Sequence, residues 1–321
     1  MMGQTARIQA QAVLYHNEIA SIAQTVEALA NAVRYAREKR GLTVELSLAY
    51  GDSGDKPLLS EEDLRLLRER SGDELTLRYQ FFGFNAGSAK GQNLLAEPYD
   101  GDYVYIMNPD VKPCPDFFHY MLLPFSDERV GAVEARQVPL EHPKVYDPAT
   151  GETPWCTGAC TMLRNAVFRE VGGFDSDTFF LYCDDVDLSW RVKHAGYRLI
   201  YQPHAMVYHA KEVSAEGDWS PSWAEMFYSA EAAMLMAYKW CDDARLEKLC
   251  SHYRHGSEVE REAFRAFRKR RQDGRLPARI QAPDVPTYSG DNYSRTRFSY
   301  TKRKSDDDSS GAKAEAKSRG K

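Results

Sequence analysis

Two hydrophobic periods alternate along the first 110 positions. In residues 7–15, RIQAQAVLY, Gln9 and Gln11 alternate with apolar neighbours, and this period of two predicts a strand. From Ile19 to Arg40, Ile22, Val26, Leu29 and Val33 recur at helical spacing, and Gly41 supplies the stop. The alternation continues with strands predicted over 44–50, 75–81 and 102–110. Between them lies a helix opening at Ser60, where Asp63 completes a capping-box pattern, and a glycine-rich loop, FNAGSAKGQN, that runs into another helix. Strands alternating with helices predict a mostly parallel sheet covered on both faces. Such sheets bind ligands beyond the carboxyl ends of their strands. The polar loops HNE, GDSGD, FNAGSAKGQN and NPD all fall at those ends, so they are expected to line one crevice.

The pattern is less regular further on. Residues 130–181 read as short strands, a loop carrying Pro139, Pro143, Pro148 and Pro154, and a helix near 165–171. A helix over 184–196 stops at Gly196, and a strand follows through VYHA. Amphipathic helices are predicted over 223–240 and 258–271, with Trp223, Phe227, Ala230, Met234 and Tyr238 forming a stripe that packs on the preceding domain. From about Asp273 to the end Pro, Ser, Asp and Lys dominate, which predicts a largely disordered basic tail over 273–321.

With 321 residues, 43% of them hydrophobic and 28% charged, the chain can build a large core but not a multi-span membrane bundle, since no apolar run approaches the roughly 18–20 residues of a spanning helix. Six cysteines make no disulfide framework, and the first residues lack a signal-peptide pattern, so a cytoplasmic protein is expected. Residues 251–321 carry 18 Lys+Arg against 10 Asp+Glu, and the remainder 24 against 37. An acidic body with a basic tail excludes a nucleic-acid-binding core; it suits a body that handles metal and phosphates and a tail that meets an anionic surface.

Several residues carry candidate chemistry. Asp110 ends a strand in an Asn-Pro-Asp turn and can ligate a hard cation. His209, after a strand ending near the same crevice, is a second candidate ligand. Gly87, Gly91 and Lys90 sit in a loop whose backbone N–H groups can approach phosphate, though it matches neither a Walker loop nor a dinucleotide fingerprint. Asp184, Asp185 and Asp187 crowd one helix start. They read either as capping residues, with Asp187 paired to Arg191 at i,i+4, or as the source of a general base with a raised pKa. A zinc site on Cys156, Cys160, Cys183 and His209 lacks a second close pair.

The series VLYHNE, GDSGD, FNAGSAKGQN, YVYIMNPDV and TGAC…GGFD…FLYCDDVDL…AGYR…VYH, over about residues 7–210, resembles a family 2 glycosyltransferase, with an NPDV motif similar to that of rhamnosyltransferase-like members. The resemblance implies a GT-A fold: a three-layer α/β/α sandwich with a mostly parallel sheet. The catalytic domain would span 1–212, its donor half about 1–112 and its acceptor side about 113–212. A helical extension over 213–272 and the tail would follow. It implies an inverting, metal-dependent transfer of a sugar, such as rhamnose from its dTDP donor, to a glycan or lipid-linked glycan. Asp185 looks like the catalytic base, with Asp184 beside it, and Asp110 and His209 like the ligands of Mg²⁺ or Mn²⁺. Donor contacts are implied for Tyr15, Asn17, Asp52, Asn85, Gly87, Lys90, Asn93, Asn108 and Arg191. Three positions depart from the usual pattern: Asn108 replaces a first aspartate, Asp184 replaces a glutamate, and GDSGD is shortened.

One base and one metal carboxylate suit a transferase, whereas a glycosidase needs two carboxyl groups, one of them an acid. A sugar nucleotidyltransferase and a non-catalytic sugar-nucleotide-binding scaffold are the alternatives. Arg261, Arg265, Arg268, Lys269, Arg270 and Arg271, with Phe264 and Phe267 between them, predict weak, salt-sensitive peripheral association of residues 258–304 with an anionic membrane, such as the inner face of the plasma membrane, the phenylalanines inserting shallowly; the alternative is a basic helix that salt-bridges the acidic body.

Overall fold

The computed structural model describes residues 5–141, 145–209, 221–282 and 285. In chain order its elements are β1 (Ala6–Leu14), α1 (Ile19–Arg40), β2 (Val44–Asp52), α2 (Glu61–Ser71), β3 (Leu75–Phe81), α3 (Gly87–Ala96), β4 (Tyr103–Met107), β5 (Val111–Pro113), α4 (Phe117–Leu122), β6 (Val130–Val138), β7 (Cys160–Arg164), α5 (Asn165–Glu170), α6 (Asp184–His194), β8 (Arg198–His209), α7 (Trp223–Lys239), α8 (Asp243–Arg254) and α9 (Glu258–Gln272).

Local chemistry sets several boundaries. Gly41 ends α1 in the left-handed region (φ 61°) and donates its N–H to the Ala36 carbonyl. Ser60 and Asp63 form the capping box of α2, and Ser222 with Glu225 and Ser257 with Glu260 do the same for α7 and α9.

The strands form one sheet in the order β3-β2-β1-β4-β7-β6-β8-β5. β3, β2, β1 and β4 pair in parallel, and so do β6 and β8. β7 runs antiparallel between β4 and β6, and β5 antiparallel on the β8 edge. The mostly parallel sheet is therefore present. Side chains alternate across β4: Tyr105 and Met107 join the core beneath α1, α2 and α4, while Val104 and Ile106 face α3, α5 and α6. This burial on both faces is why the strands read as apolar runs.

Gln9 and Gln11 do not face water as a half-buried strand would have them. Both are buried on the α3 side, where Gln9 donates to the Leu95 carbonyl (3.0 Å) and Gln11 to that of Gln92 (2.9 Å). Two buried amides are tolerable because each is hydrogen-bonded.

A second core lies above the sheet. Ala230, Met234 and Met236 of α7, Leu249 and Tyr253 of α8, and Phe264 and Phe267 of α9 enclose it together with Phe179, Cys183, Val186 and Trp190. The α7 stripe packs as its spacing predicts at Ala230 and Met234, while Trp223 at the N-terminal end is 49% exposed. Leu276, Ile280 and Val285 pack on this unit, and the Ile280 N–H donates to the Lys239 carbonyl (2.7 Å). Residues 286–321, most of the expected disordered tail, lie outside the described residues. Among the described residues no helix is long and apolar enough to cross a membrane.

This core corrects one expectation. Phe264 and Phe267 are 7% and 2% exposed, so neither is free to insert into a bilayer. The Phe267→Ala variant is expected to lose about 3–5 kcal/mol of stability, measured by urea unfolding, because it hollows the centre of the upper core.

Candidate active site

The carboxyl ends of β1, β2, β4 and β8 gather the polar loops. Hydrogen bonds tie these loops together: the Ser53 N–H donates to the Leu14 carbonyl, that of Phe82 to Asp52, that of Asn108 to Ala159, and that of Ser88 to Phe180. The Thr25 hydroxyl holds the Pro109 carbonyl at 2.9 Å and so anchors the Asn-Pro-Asp turn on α1.

Asp110 and His209 meet here, because Val111 pairs with His209 across the β5–β8 ladder. The His209 Nε2 lies 3.5 Å from Asp110 Oδ2 and 3.4 Å from the Asn108 amide. Its Nδ1 lies 2.7 Å from the buried Gln137 Oε1. An amide oxygen only accepts, so Nδ1 carries a proton, and in the neutral imidazole Nε2 then presents its lone pair on the Asp110 side. The Nε2–Oδ2 separation approaches the roughly 3 Å between neighbouring ligands of an octahedral shell with 2.0–2.1 Å bonds. The pair fits a divalent cation. Among the described residues no group of three or more His, Cys, Asp or Glu could hold a metal, and Asp110 and His209 are the candidate pair there. That suits a cation completed by phosphate oxygens and water. It also removes the zinc reading; Cys160 instead donates to the Ala135 carbonyl.

The acidic turn is built against this corner. Tyr182 and Cys183 both take left-handed conformations (φ 64° and 55°), which aim the first turn of α6 into the crevice. Asp185 is half-buried and accepts from the Gly158 N–H (2.9 Å) and the Val186 N–H (2.8 Å). Gly158 adjoins Ala159, which holds Asn108, so one short segment links this carboxylate to the Asn-Pro-Asp turn. Asp184 is 6% exposed. Burial first, and the Asp185 charge second, push its carboxyl up to about 7, against a weaker opposing bond to Ser88.

The expected donor contacts divide. Tyr15 is 51% exposed, and its N–H is capped by Asn17 Oδ1 (2.8 Å). Asn85 and Lys90 are exposed, Lys90 lying over the Phe84 ring. Asn108 faces His209, as above. Gly87 is required for packing: it sits at φ 66°, and a Cβ there would meet the Phe180 carbonyl at 2.5 Å.

Three residues are committed elsewhere. Asp52 is fully buried and accepts from the Gly54 and Leu58 N–H groups (2.8 and 2.7 Å) and from the Tyr79 hydroxyl, so it shapes its own turn. Burial and then the Asp52 bond push the Tyr79 phenol up to about 12, which keeps it a donor. Asn93 clamps both backbone groups of Phe174. Arg191 bonds Asp187 (2.8 Å) and the Val171 and Gly173 carbonyls (2.6 Å each), so the i,i+4 pairing of Asp187 with Arg191 is present, while no side chain caps this helix.

Gln137, Thr25, Ser88 and Phe180 are parts of the site that sequence reasoning missed.

A carboxyl whose folded pKa is raised binds its proton more tightly in the folded state. Asp184 therefore makes the fold lose stability as pH rises from about 4 to about 7. Asp184→Asn is expected to remove that loss: the difference in unfolding midpoint between variant and wild type should grow across this window and level off above it.

No family model matches the chain. It is 36% identical to the N-acetylglucosaminyl-diphospho-decaprenol L-rhamnosyltransferase of Mycobacterium tuberculosis, over 31% of this chain and 30% of that one. It is 31% identical to the pre-mycofactocin glycosyltransferase of the same species, over 46% and 35% respectively. A 45% identity to the rhamnosyltransferase WbbL of Escherichia coli covers 17% of this chain and 21% of that one. The chain thus spans about a third of the length of the first two relatives. In structure it is similar to GalNAc-T7 solved with UDP, GalNAc and Mn²⁺ (TM-score 0.61, 13% identity, 85% of this chain and 55% of that one). It is also similar to the Pyrobaculum calidifontis mannosyltransferase PcManGT solved with GDP-Man and Mn²⁺ (TM-score 0.54, 17% identity, 83% and 80%). The chain has the GT-A fold of these two solved glycosyltransferases, and over a third or less of its length its sequence is similar to rhamnosyltransferases.

Proposed function

We propose that the protein is an inverting glycosyltransferase that uses a nucleotide-diphosphate sugar and a divalent cation. The observation that carries this reading is the Asp110–His209 pair at 3.5 Å, with its Nε2 lone pair set by Gln137, beside the half-buried Asp185. Relatives named for rhamnosyl transfer favour an L-rhamnose donor such as dTDP-rhamnose, and one named for a diphospho-decaprenol substrate favours a lipid-linked acceptor.

Asp185 takes the proton of the acceptor hydroxyl as that oxygen attacks the anomeric carbon from the face opposite the diphosphate. The carbon–oxygen bond to the diphosphate breaks, and the configuration inverts. Gly158 and Val186 N–H groups fix the carboxylate while leaving its remaining lone pairs for the proton. Asp110 and His209 would hold Mg²⁺ or Mn²⁺, which supplies neutralisation of charge on the leaving diphosphate. Lys90, Asn85, Tyr15 and Asn17 surround the donor. Ser88 and Gly87 hold the glycine-rich loop to the acidic turn through Phe180.

Purified protein incubated with a panel of nucleotide sugars and Mn²⁺ should release nucleoside diphosphate, and EDTA should stop the release. Donor binding without turnover would favour a non-catalytic scaffold, and pyrophosphate exchange a nucleotidyltransferase. Asp185→Asn keeps shape while removing proton acceptance, and is expected to lower turnover by about 10²-fold or more with donor affinity little changed. Asp110→Ala should abolish turnover and weaken Mn²⁺ binding without unfolding the chain.

Peripheral membrane association is proposed through charge alone. Arg261, Arg265, Arg268, Lys269 and Arg271 of α9 are exposed, and each basic residue near an anionic surface contributes about 1 kcal/mol. Wild type should pellet with anionic but not neutral vesicles at low salt. Reversing Arg265, Arg268 and Arg271 to Glu should abolish pelleting; equal pelleting of both proteins would refute the surface.

A further inference from the structure

The segment from Asp175 to Asp187 is gripped from above. Lys239 of α7 is 5% exposed and places its ammonium 2.7 Å from both Asp175 Oδ2 and Asp187 Oδ1. The Trp240 indole N–H donates to the same Asp187 oxygen at 3.0 Å. Arg270 of α9 donates to the Thr178 carbonyl (3.0 Å) and pairs with the buried Glu231 (2.9 Å). Phe179 is buried in the helical core with the Lys239 ammonium over its ring, and Phe180 packs against Tyr228 at 4.9 Å.

The same segment is gripped from below by the donor-side loop, where Ser88 donates to the Phe180 carbonyl and Gly87 abuts it. Between these grips lie Tyr182 and Cys183, two non-glycine residues in the left-handed region. Such residues persist where their surroundings over-determine them. Asp184 and Asp185 follow directly. The direction of the acidic turn is therefore set by contacts that the helical unit supplies.

We propose that the C-terminal helical unit is a positioning element for the catalytic turn and that Lys239 is its central positioning residue. Lys239 joins two carboxylates that flank the turn, one in the loop before it and one inside α6. Together with Arg191, which pairs with Asp187, it neutralises both, and it fixes their separation. Burial raises the Asp175 carboxyl, but the bonds from Lys239 and Thr178 outweigh it and hold it ionised, below its ordinary value. The inference rests on Asp185 being the base, as proposed above, but its structural half can be tested without turnover.

The test compares Lys239→Met, Asp175→Asn and Lys239→Arg with Leu249→Ala. Asp175→Asn retains the Lys239–Asp187 bond and covers the case in which Lys239→Met does not fold. Leu249 lies in the same core but outside the grip. Lys239→Met and Asp175→Asn are expected to lower kcat by about tenfold or more, with donor KM and Mn²⁺ affinity within about twofold of wild type. Lys239→Arg should recover part of the rate. Leu249→Ala should lower the unfolding midpoint and leave kcat unchanged.

Hydrogen exchange supplies the readout independent of activity. In the first two variants the amides of Ser88, Gly158 and Val186, which bond to or within the turn, should lose protection, and in Leu249→Ala they should not. Wild-type protection of these amides in Asp175→Asn would overturn the proposal, as would a kcat loss in Leu249→Ala equal to that of Asp175→Asn. Lost protection together with an Asp185→Asn variant of undiminished turnover would instead leave the positioning intact and refute Asp185 as the base.

Discussion

A carboxylate closed off from water organises the upper half of this molecule. Asp187 is fully buried and accepts from Arg191, Lys239 and Trp240. Lys239 also bonds Asp175, so the cluster is electrically neutral, with two carboxylates, one guanidinium and one ammonium. Burying charge is unfavourable unless every member is paired and hydrogen-bonded, and removing one partner leaves the others exposed to that penalty. The cluster therefore acts as a unit. It joins α6, the turn at Gly173, the loop before the acidic residues and the first helix of the C-terminal unit.

That unit also explains why the three aspartates of one helix turn have three different environments. Asp187 faces the helical unit and is neutralised. Asp184 is buried beside Ser88, and burial together with the Asp185 charge pushes its carboxyl up to about 7. Asp185 is half-buried and accepts from the Gly158 and Val186 N–H groups. Successive residues on a helix point about 100° apart, so placing one carboxylate in the crevice sends its neighbours into the protein. What the neighbours meet there decides their charge.

The sequence made the scaffold legible because its signals are local. Strand and helix periods, the Ser60–Asp63 cap, the Gly41 stop and the Asp187–Arg191 spacing involve residues within a few positions of one another, and each appears in the structure. α8 was missed because only Leu249 and Tyr253 of its twelve residues are buried, too sparse a stripe to read. Two of the expected donor contacts have partners that no local signal marks. Asn93 is bound to Phe174, 81 positions away, and Arg191 to carbonyls at 171 and 173. A polar side chain that folding brings against an unsatisfied backbone group looks, in one sequence, like one waiting for a ligand. Phe264 and Phe267 were misread for the complementary reason: the apolar stripe of α9 was visible, but the core that covers it is assembled from α7, α8 and the loop at 179.

The sparse ligand set at the Asp110–His209 corner has a thermodynamic consequence under the proposed reading. Asn108 stands where a second carboxylate would raise the negative charge of the site, and its amide faces His209 Nε2. A cation held by one carboxylate and one imidazole keeps most of its shell for phosphate oxygens and water. Its affinity for the protein then depends on the diphosphate, and by linkage the diphosphate's affinity depends on the cation to the same degree. A second carboxylate would hold the ion more tightly in the site before the donor binds. Under the proposed reading Asn108 therefore lowers the affinity of the donor-free site for the cation, and the Gln137–His209 bond matters because it keeps one of the two candidate ligands among the described residues correctly turned.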